Sequence, residues 1–181
     1  AAVERRTRSE EPPPPAPRRA VLVVGAGEEA RTFDLTGRVA LVTGATRGLG
    51  VQMAEALAGA GADLLVTSRN DEAVARVAGR LRARYGIRAV GVAGDLTAPG
   101  FAGELVRAAV DDLGGLHILV NNAGVNVRGA IDEVTEDDYD LVMGVNAKAP
   151  WLLCRAAAPV LKAQRYGRVI NISSALGRVG I

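Results

Sequence analysis

A doubly wound α/β fold, a parallel sheet with helices on both faces, is what this sequence predicts from residue 34 onward. Three observations carry the prediction. Short aliphatic and β-branched runs alternate with longer amphipathic segments from Arg38 onward. The short runs are nearly continuous in apolar residues, as in Val39-Ala40-Leu41-Val42, which is the pattern of strands buried on both faces. Closely spaced glycines follow that first run, and a segment rich in Ala and Leu follows the glycines, which is how a βαβ unit begins.

Residues 1–33 precede the alternation. Up to about residue 20 they carry Glu4-Arg5-Arg6, Glu10-Glu11, Pro12 to Pro15 and Pro17, with no apolar periodicity, so residues 1–33 are expected to be a disordered or loosely ordered arm. Arg18-Arg19 before Ala20 to Val24 has a superficial likeness to an export signal. The apolar run is short and soon meets Glu28 and Glu29, so no signal peptide is expected. In the domain proper, residues 34–181, the first strand is predicted at Val39 to Thr43 and its helix at Gly48 to Ala60. A strand follows at Asp63 to Thr67, a helix at Glu72 to Tyr85 ended by Gly86, and a strand at Ala89 to Ala93. Next come a helix at Phe101 to Leu113 ended by Gly114 and a strand at Ile118 to Asn121. Thr135, followed by Asp137 and Asp138, reads as the N-cap of a helix over Glu136 to Val145. A separate helix at Lys148 to Gln164 leads to a fifth strand at Arg168 to Ile172.

Bulk composition narrows the function. The 181 residues are 49% hydrophobic and 23% charged, sufficient for one domain with a substantial core. A net charge of +2 and a pI near 9.0 are mildly basic, but the cations are interspersed with acids and aromatics are only 3%. That excludes a dedicated nucleic-acid surface. No stretch approaches the ~20 apolar residues of a membrane helix. Cys154 is the single cysteine and His117 the single histidine, so neither an intrachain disulfide nor a common structural zinc site can form. A cytoplasmic protein without a metal is expected.

Two glycine motifs compete for a dinucleotide. Gly25-Ala26-Gly27-Glu28-Glu29-Ala30, after Ala20 to Val24, satisfies the strand-then-GxGxx(G/A) pattern. Its context is wrong, because a few residues later the strand at Val39 begins, leaving no room for the helix whose N-terminal amides would meet a pyrophosphate. Glu28 and Glu29 would add negative charge beside that phosphate, so a loop is expected. Thr43-Gly44-Ala45-Thr46-Arg47-Gly48-Leu49-Gly50 has the right context: a strand before it, a helix after it, a returning strand at Leu64. Gly44 suits the tight turn, Gly48 a close approach of backbone to phosphate, and Gly50 close packing of helix on strand.

Thr-Gly-x-x-x-Gly-x-Gly resembles the cofactor signature of the short-chain dehydrogenase/reductase family, and the likeness runs from Leu35 to the last residue. Gly94-Asp95-Leu96-Thr97 resembles the family segment after the third strand, whose aspartate bonds the adenine amino group. Asn121-Asn122-Ala123-Gly124 resembles the segment after the fourth strand that lines the adenosine ribose and braces the sheet. Val169-Ile170-Asn171-Ile172-Ser173-Ser174 resembles the fifth strand leading to the catalytic serine. Read without the family, Asp95 is also a plausible turn or cap residue, and Asn121 and Asn122 plausible partners of loop backbone. His117 stands where relatives often carry Asp and reads as a half-exposed residue at the start of a strand.

The resemblance implies a Rossmann-type nicotinamide site and a hydride transfer between cofactor and a small-molecule carbonyl or alcohol. The cofactor residues it points to are Thr43, Gly44, Thr46, Arg47, Gly48, Leu49, Gly50, Ser68, Arg69, Asp95, Leu96, Asn122, Ala123 and Gly124. The second strand ends Val66-Thr67-Ser68-Arg69-Asn70, with no carboxylate at its tip to hold a ribose 2′-hydroxyl and an arginine suited to a 2′-phosphate. With Arg47 as the second cation, NADP(H) is expected in preference to NAD(H), although Asp71 lies close by.

For catalysis the resemblance points to Ser174, in preference to Ser173, and to Asn146 as the helix asparagine that helps hold a proton-relay water. It also implies a Tyr-x-x-x-Lys pair beyond Ser174. Tyr85, Tyr139 and Tyr166 are followed four residues on by Ala89, Met143 and Ile170, so none qualifies, and Lys148 reads as a solvent-facing side chain. The 181-residue chain is therefore expected to be a fragment that is inactive by itself and only marginally stable, with apolar surface left uncovered, and a homo-oligomer is expected for the full-length protein. A non-catalytic dinucleotide-binding or regulatory module, and a structural protein that keeps the fold, stand as alternatives. Met53, Met143 and Trp151 read as packing residues.

Overall fold

The computed structural model describes residues 34–174, in which five strands form one parallel sheet of order β3-β2-β1-β4-β5. The strands are β1 (Val39–Thr43), β2 (Asp63–Ser68), β3 (Ala89–Ala93), β4 (Ile118–Asn121) and β5 (Arg168–Asn171). The helices are α1 (Gly48–Gly59), α2 (Asp71–Tyr85), α3 (Phe101–Leu113), α4 (Glu136–Met143) and α5 (Ala149–Ala163). The doubly wound parallel sheet expected from the sequence is the one observed. The expected arm, the export-signal likeness and the Gly25 motif lie outside the described residues.

The apolar runs divide their side chains between two layers. Ala40, Val42, Leu64, Val66, Ile118 and Val120 pack with Ala54 and Ala58 of α1 and Val77, Ala78 and Leu81 of α2. Val39, Leu41, Leu65 and Leu119 pack on the opposite face with Leu105, Val106 and Ala109 of α3 and Leu153 and Ala157 of α5. Strand side chains alternate between faces, so covering both faces requires every residue to be apolar. The chain leaves β1 toward β2 and β3 on one side, then crosses back to β4 and β5 on the other. That reversal opens a crevice beyond the carboxyl ends of β1 and β4.

Local signals set the helix ends. Asn70 accepts from the Ala73 amide at 2.8 Å and so starts α2 at Asp71, one residue before the expected Glu72. Gly86 and Gly114 end α2 and α3 in the left-handed conformation, as expected. Thr135 and Asp138 form a reciprocal capping box on α4. Two helices were expected over residues 136–164 with a break near 146. The chain instead runs through Gly144–Lys148 as a π-helical turn joining α4 to α5, so Asn146 lies inside a widened helix. A second correction concerns Trp151 and Met143, which are exposed, whereas Met53 does pack against the core.

Candidate functional site

The crevice is a cleft of about 720 Å³ at the switch point. Gly44, Thr46, Arg47, Gly48, Leu49 and Gly50 line it from the β1–α1 turn, Ser68 and Arg69 from the tip of β2, Asp95 and Leu96 from the loop after β3, and Asn122, Ala123 and Gly124 from the loop after β4. Four separate loops thus bring the expected cofactor residues together. Thr43 is the exception: it is buried behind the wall, where it acts as a junction. Asn70, Ala73, Gly94, Val125, Leu141 and Val145 also line the cleft and were not singled out from the sequence. Gly94 opens the Asp95 motif and Asn70 adjoins Arg69, but Leu141 and Val145 arrive from α4 and the π turn.

Thr43 shows how the wall is held. Its hydroxyl donates to the Val120 carbonyl at 3.3 Å and accepts from the Asn122 and Ala123 amides, each at 3.0 Å. One donor and two acceptor sites are all a hydroxyl has, so this one is saturated. Asn122 returns the tie: its Nδ2 donates to the Thr43 carbonyl at 2.9 Å and to the Gly44 carbonyl at 3.3 Å. The β1 turn and the β4 loop are thereby fixed to each other.

Gly44 has φ +63°, and a Cβ there would stand 2.9 Å from the Ala123 Cα. A Cβ at Gly50 would collide with the Gly44 carbonyl and the Asn122 amide. These two glycines therefore let helix, turn and loop meet at backbone distance.

The N-terminus of α1 differs from those of α2 and α4. It has no side-chain cap bond and no acid in its first turn, whereas α2 is capped by Asn70 with Asp71 and Glu72 following, and α4 by Thr135 with three acids. Unsatisfied amides and the positive end of the helix dipole thus open at the cleft. Arg47 and Arg69 stand on its lining, and neither makes an ion pair among the described residues. Asp71 sits in the first turn of α2, where the dipole favours a carboxylate.

Asp95 has two roles open to it, and the structure displays one. Its Oδ1 accepts from the Thr97 amide at 2.8 Å and the Thr97 hydroxyl at 2.7 Å, closing a turn. These bonds, backbone first, together with the Arg69 charge, hold its pKa below the usual carboxylate value. Both bonds fall on Oδ1, so Oδ2 has no hydrogen-bond donor among the described residues.

Neither expected catalytic residue lines the cleft directly. Ser174 lies exposed, three residues past the Asn121–Asn171 pair that ends the β4–β5 ladder. Asn146 uses both ends of its amide on one residue: Oδ1 accepts from the Val125 N–H at 2.9 Å and Nδ2 donates to the Val125 carbonyl at 2.8 Å. It pins the loop that carries Asn122 to Gly124 onto the helix.

Residues 38–181 match the short chain dehydrogenase family. The chain belongs to that family. A curated relative in sequence is the D-beta-hydroxybutyrate dehydrogenase of Cupriavidus necator, 36% identical over 145 residues, which are 80% of this chain and 56% of the relative. A metagenomic short-chain oxidoreductase solved in complex with NADP superposes with a TM-score of 0.76 at 36% identity, over 81% of this chain and 66% of the other. The L-sorbose reductase of Gluconobacter frateurii, solved with NADPH and L-sorbose, superposes with a TM-score of 0.73 at 28% identity, over 76% and 52%. This short-chain dehydrogenase chain thus spans somewhat more than half the length of the curated relatives it matches. Among the described residues, no helix is long and apolar enough to cross a membrane.

Proposed function

We propose that residues 34–181 form the NADP(H)-binding part of an oxidoreductase that transfers hydride between nicotinamide and a small-molecule carbonyl or alcohol. The observation that carries this reading is the uncapped N-terminus of α1 beside Arg47 and Arg69, in a cleft with no carboxylate at the tip of β2. The α1 amides fit a pyrophosphate, and the two guanidinium groups fit a 2′-phosphate, which an acidic residue at the end of β2 would repel. Asp95 Oδ2 suits the adenine amino group, Asn122 to Gly124 suit the adenosine ribose, and Leu49, 64% exposed, offers apolar cover to a ring above the turn. The two solved relatives with NADP or NADPH support the choice of cofactor.

When bound, the nicotinamide supplies or accepts the hydride. Ser174 hydrogen-bonds the substrate oxygen, and Asn146 holds the β4 loop and the proton-relay water in register. The chain contains no Tyr-x-x-x-Lys, so no side chain in it supplies the general acid and base. The 181-residue chain accordingly binds the dinucleotide without turning over a carbonyl. The full-length protein is a cytoplasmic homo-oligomer on this reading. Tyr139, Met143 and Trp151, exposed along α4 and α5, are the surface that a second copy covers, and Lys148 and Arg155 there complement the acids of α4.

Titration calorimetry of the chain with NADPH and NADH tests the cofactor. NADPH is expected to bind at least about tenfold tighter, a difference of roughly 1.4 kcal/mol, and Arg69→Ala to erase most of it. Equal or tighter binding of NADH overturns the reading.

A further inference from the structure

At the opposite end of the sheet from the cleft, β1, β4 and β5 begin side by side, and His117 is where they are joined. Its N–H donates to the Val39 carbonyl at 2.8 Å, and its carbonyl accepts from the Arg168 N–H at 3.0 Å. Its imidazole Nδ1 accepts from the Val39 N–H at 3.0 Å. Val39 therefore makes both of its backbone hydrogen bonds to one residue, the second through a side chain. An acceptor nitrogen carries no proton, so the ring must be the neutral Nε2–H tautomer.

The surroundings oppose protonation. Arg38, just before β1, stacks its guanidinium over the Tyr166 ring at 4.0 Å, and Arg168 at the start of β5 stacks over the same ring at 4.9 Å. Tyr166, from the turn between α5 and β5, lies with its centroid 6.0 Å from the imidazole. Gln164, at the end of α5, is neutral and donates to the Leu116 carbonyl, and the turn after α3 brings Gly115 against the ring. Burial first, and then the Arg38 charge, hold the imidazole below the usual histidine pKa of 6.5.

We propose that His117 is a proton-operated latch on the sheet: neutral, it fastens β1 to β4 through Val39; protonated, it gives up that bond and becomes a third cation in the Arg38–Tyr166–Arg168 cluster. The sign follows from the lowered pKa. The unfolded chain takes the proton more readily than the folded one, so the latch contributes fully above about pH 6.5 and is lost as pH falls through the folded value. Asp95 and Asp138, whose pKa values lie below 3.8, stay ionised throughout that window. The latch does not depend on what occupies the cleft.

His117 is the single histidine of the chain, so without a histidine tag its imidazole titrates alone. Long-range proton–nitrogen spectra of the 181-residue chain between pH 8 and pH 5 should show the Nε2–H tautomer and a midpoint below 6.5. Melting temperature over the same range should fall by roughly 3 °C more for the native chain than for His117→Asn, whose Oδ1 can accept from Val39 without titrating. An Nδ1–H tautomer, a midpoint at or above 6.5, or an equal acid loss in His117→Asn overturns the proposal. If His117→Asn does not fold, the tautomer and midpoint of the unmodified chain decide.

Discussion

At the scale of single residues, the candidate site is built on hydrogen-bond saturation. The Thr43 hydroxyl satisfies the Asn122 and Ala123 amides at once, so removing it orphans two donors in a part-buried wall. Each orphaned donor costs about 1–3 kcal/mol, whereas a valine in the same space keeps the packing of the threonine methyl. Thr43→Val should therefore lower unfolding free energy by roughly 2–4 kcal/mol in denaturant titrations, and Thr43→Ser, which keeps the hydroxyl, by well under half of that. Equal losses for the two would mean that the methyl group holds the wall as strongly as the hydroxyl, against this reading. The sequence disclosed Thr43 as a motif member but not as a junction. Its three partners lie 77 to 80 residues away, and nothing local to β1 identifies them. His117 reads from the sequence only as a half-exposed residue at the start of a strand for the same reason, since its acceptor role depends on a donor 78 residues distant.

At the scale of elements, the inner strands were legible because burial on both faces writes a continuous apolar run, and three helix ends because Thr135, Gly86 and Gly114 signal locally, whereas the Asn70 cap was not read and α2 starts one residue before the expected Glu72. The π turn was not legible. Nothing local to Gly144–Lys148 tells a break from a widened turn, and a widened turn is selected by what its side chains reach, here Val125. That selection makes a prediction about the loop after β4. Asn146→Ala removes the partner of the Val125 amide and of its carbonyl, while the Thr43 and Asn122 ties of the loop remain. Hydrogen exchange at Val125 should accelerate by about tenfold or more, equivalent to the roughly 1.4 kcal/mol of one lost hydrogen bond. Exchange in β1 should be unchanged. An unaltered Val125 amide would mean that the π turn is held by helix packing and not by this contact.

At the scale of the whole molecule, the doubly wound parallel sheet was legible in the sequence, but neither its strand order β3-β2-β1-β4-β5 nor how unevenly it is buried was. β1, β2 and β4 have covered faces, while all four residues of β5 are exposed, with Val169 at 43% and Ile170 at 44%. An edge strand that buries little apolar area opens without unfolding the rest. In hydrogen exchange, the Arg168 and Ile172 amides, though bonded to the His117 and Asn121 carbonyls, should exchange far sooner than those of Leu41 and Leu65. NADPH separates the two kinds of opening. Under the proposed function it binds only the folded cleft, so at about a hundred times its dissociation constant it slows globally exchanging amides by roughly a hundredfold, or about 2.7 kcal/mol. Amides of β5 open while the cleft stays intact and should gain nothing. A β5 as protected as β1 would point to another copy of the chain covering Val169 and Ile170, which lie on opposite faces of the strand. In that case its protection should fall as the chain is diluted, whereas protection intrinsic to the fold would not.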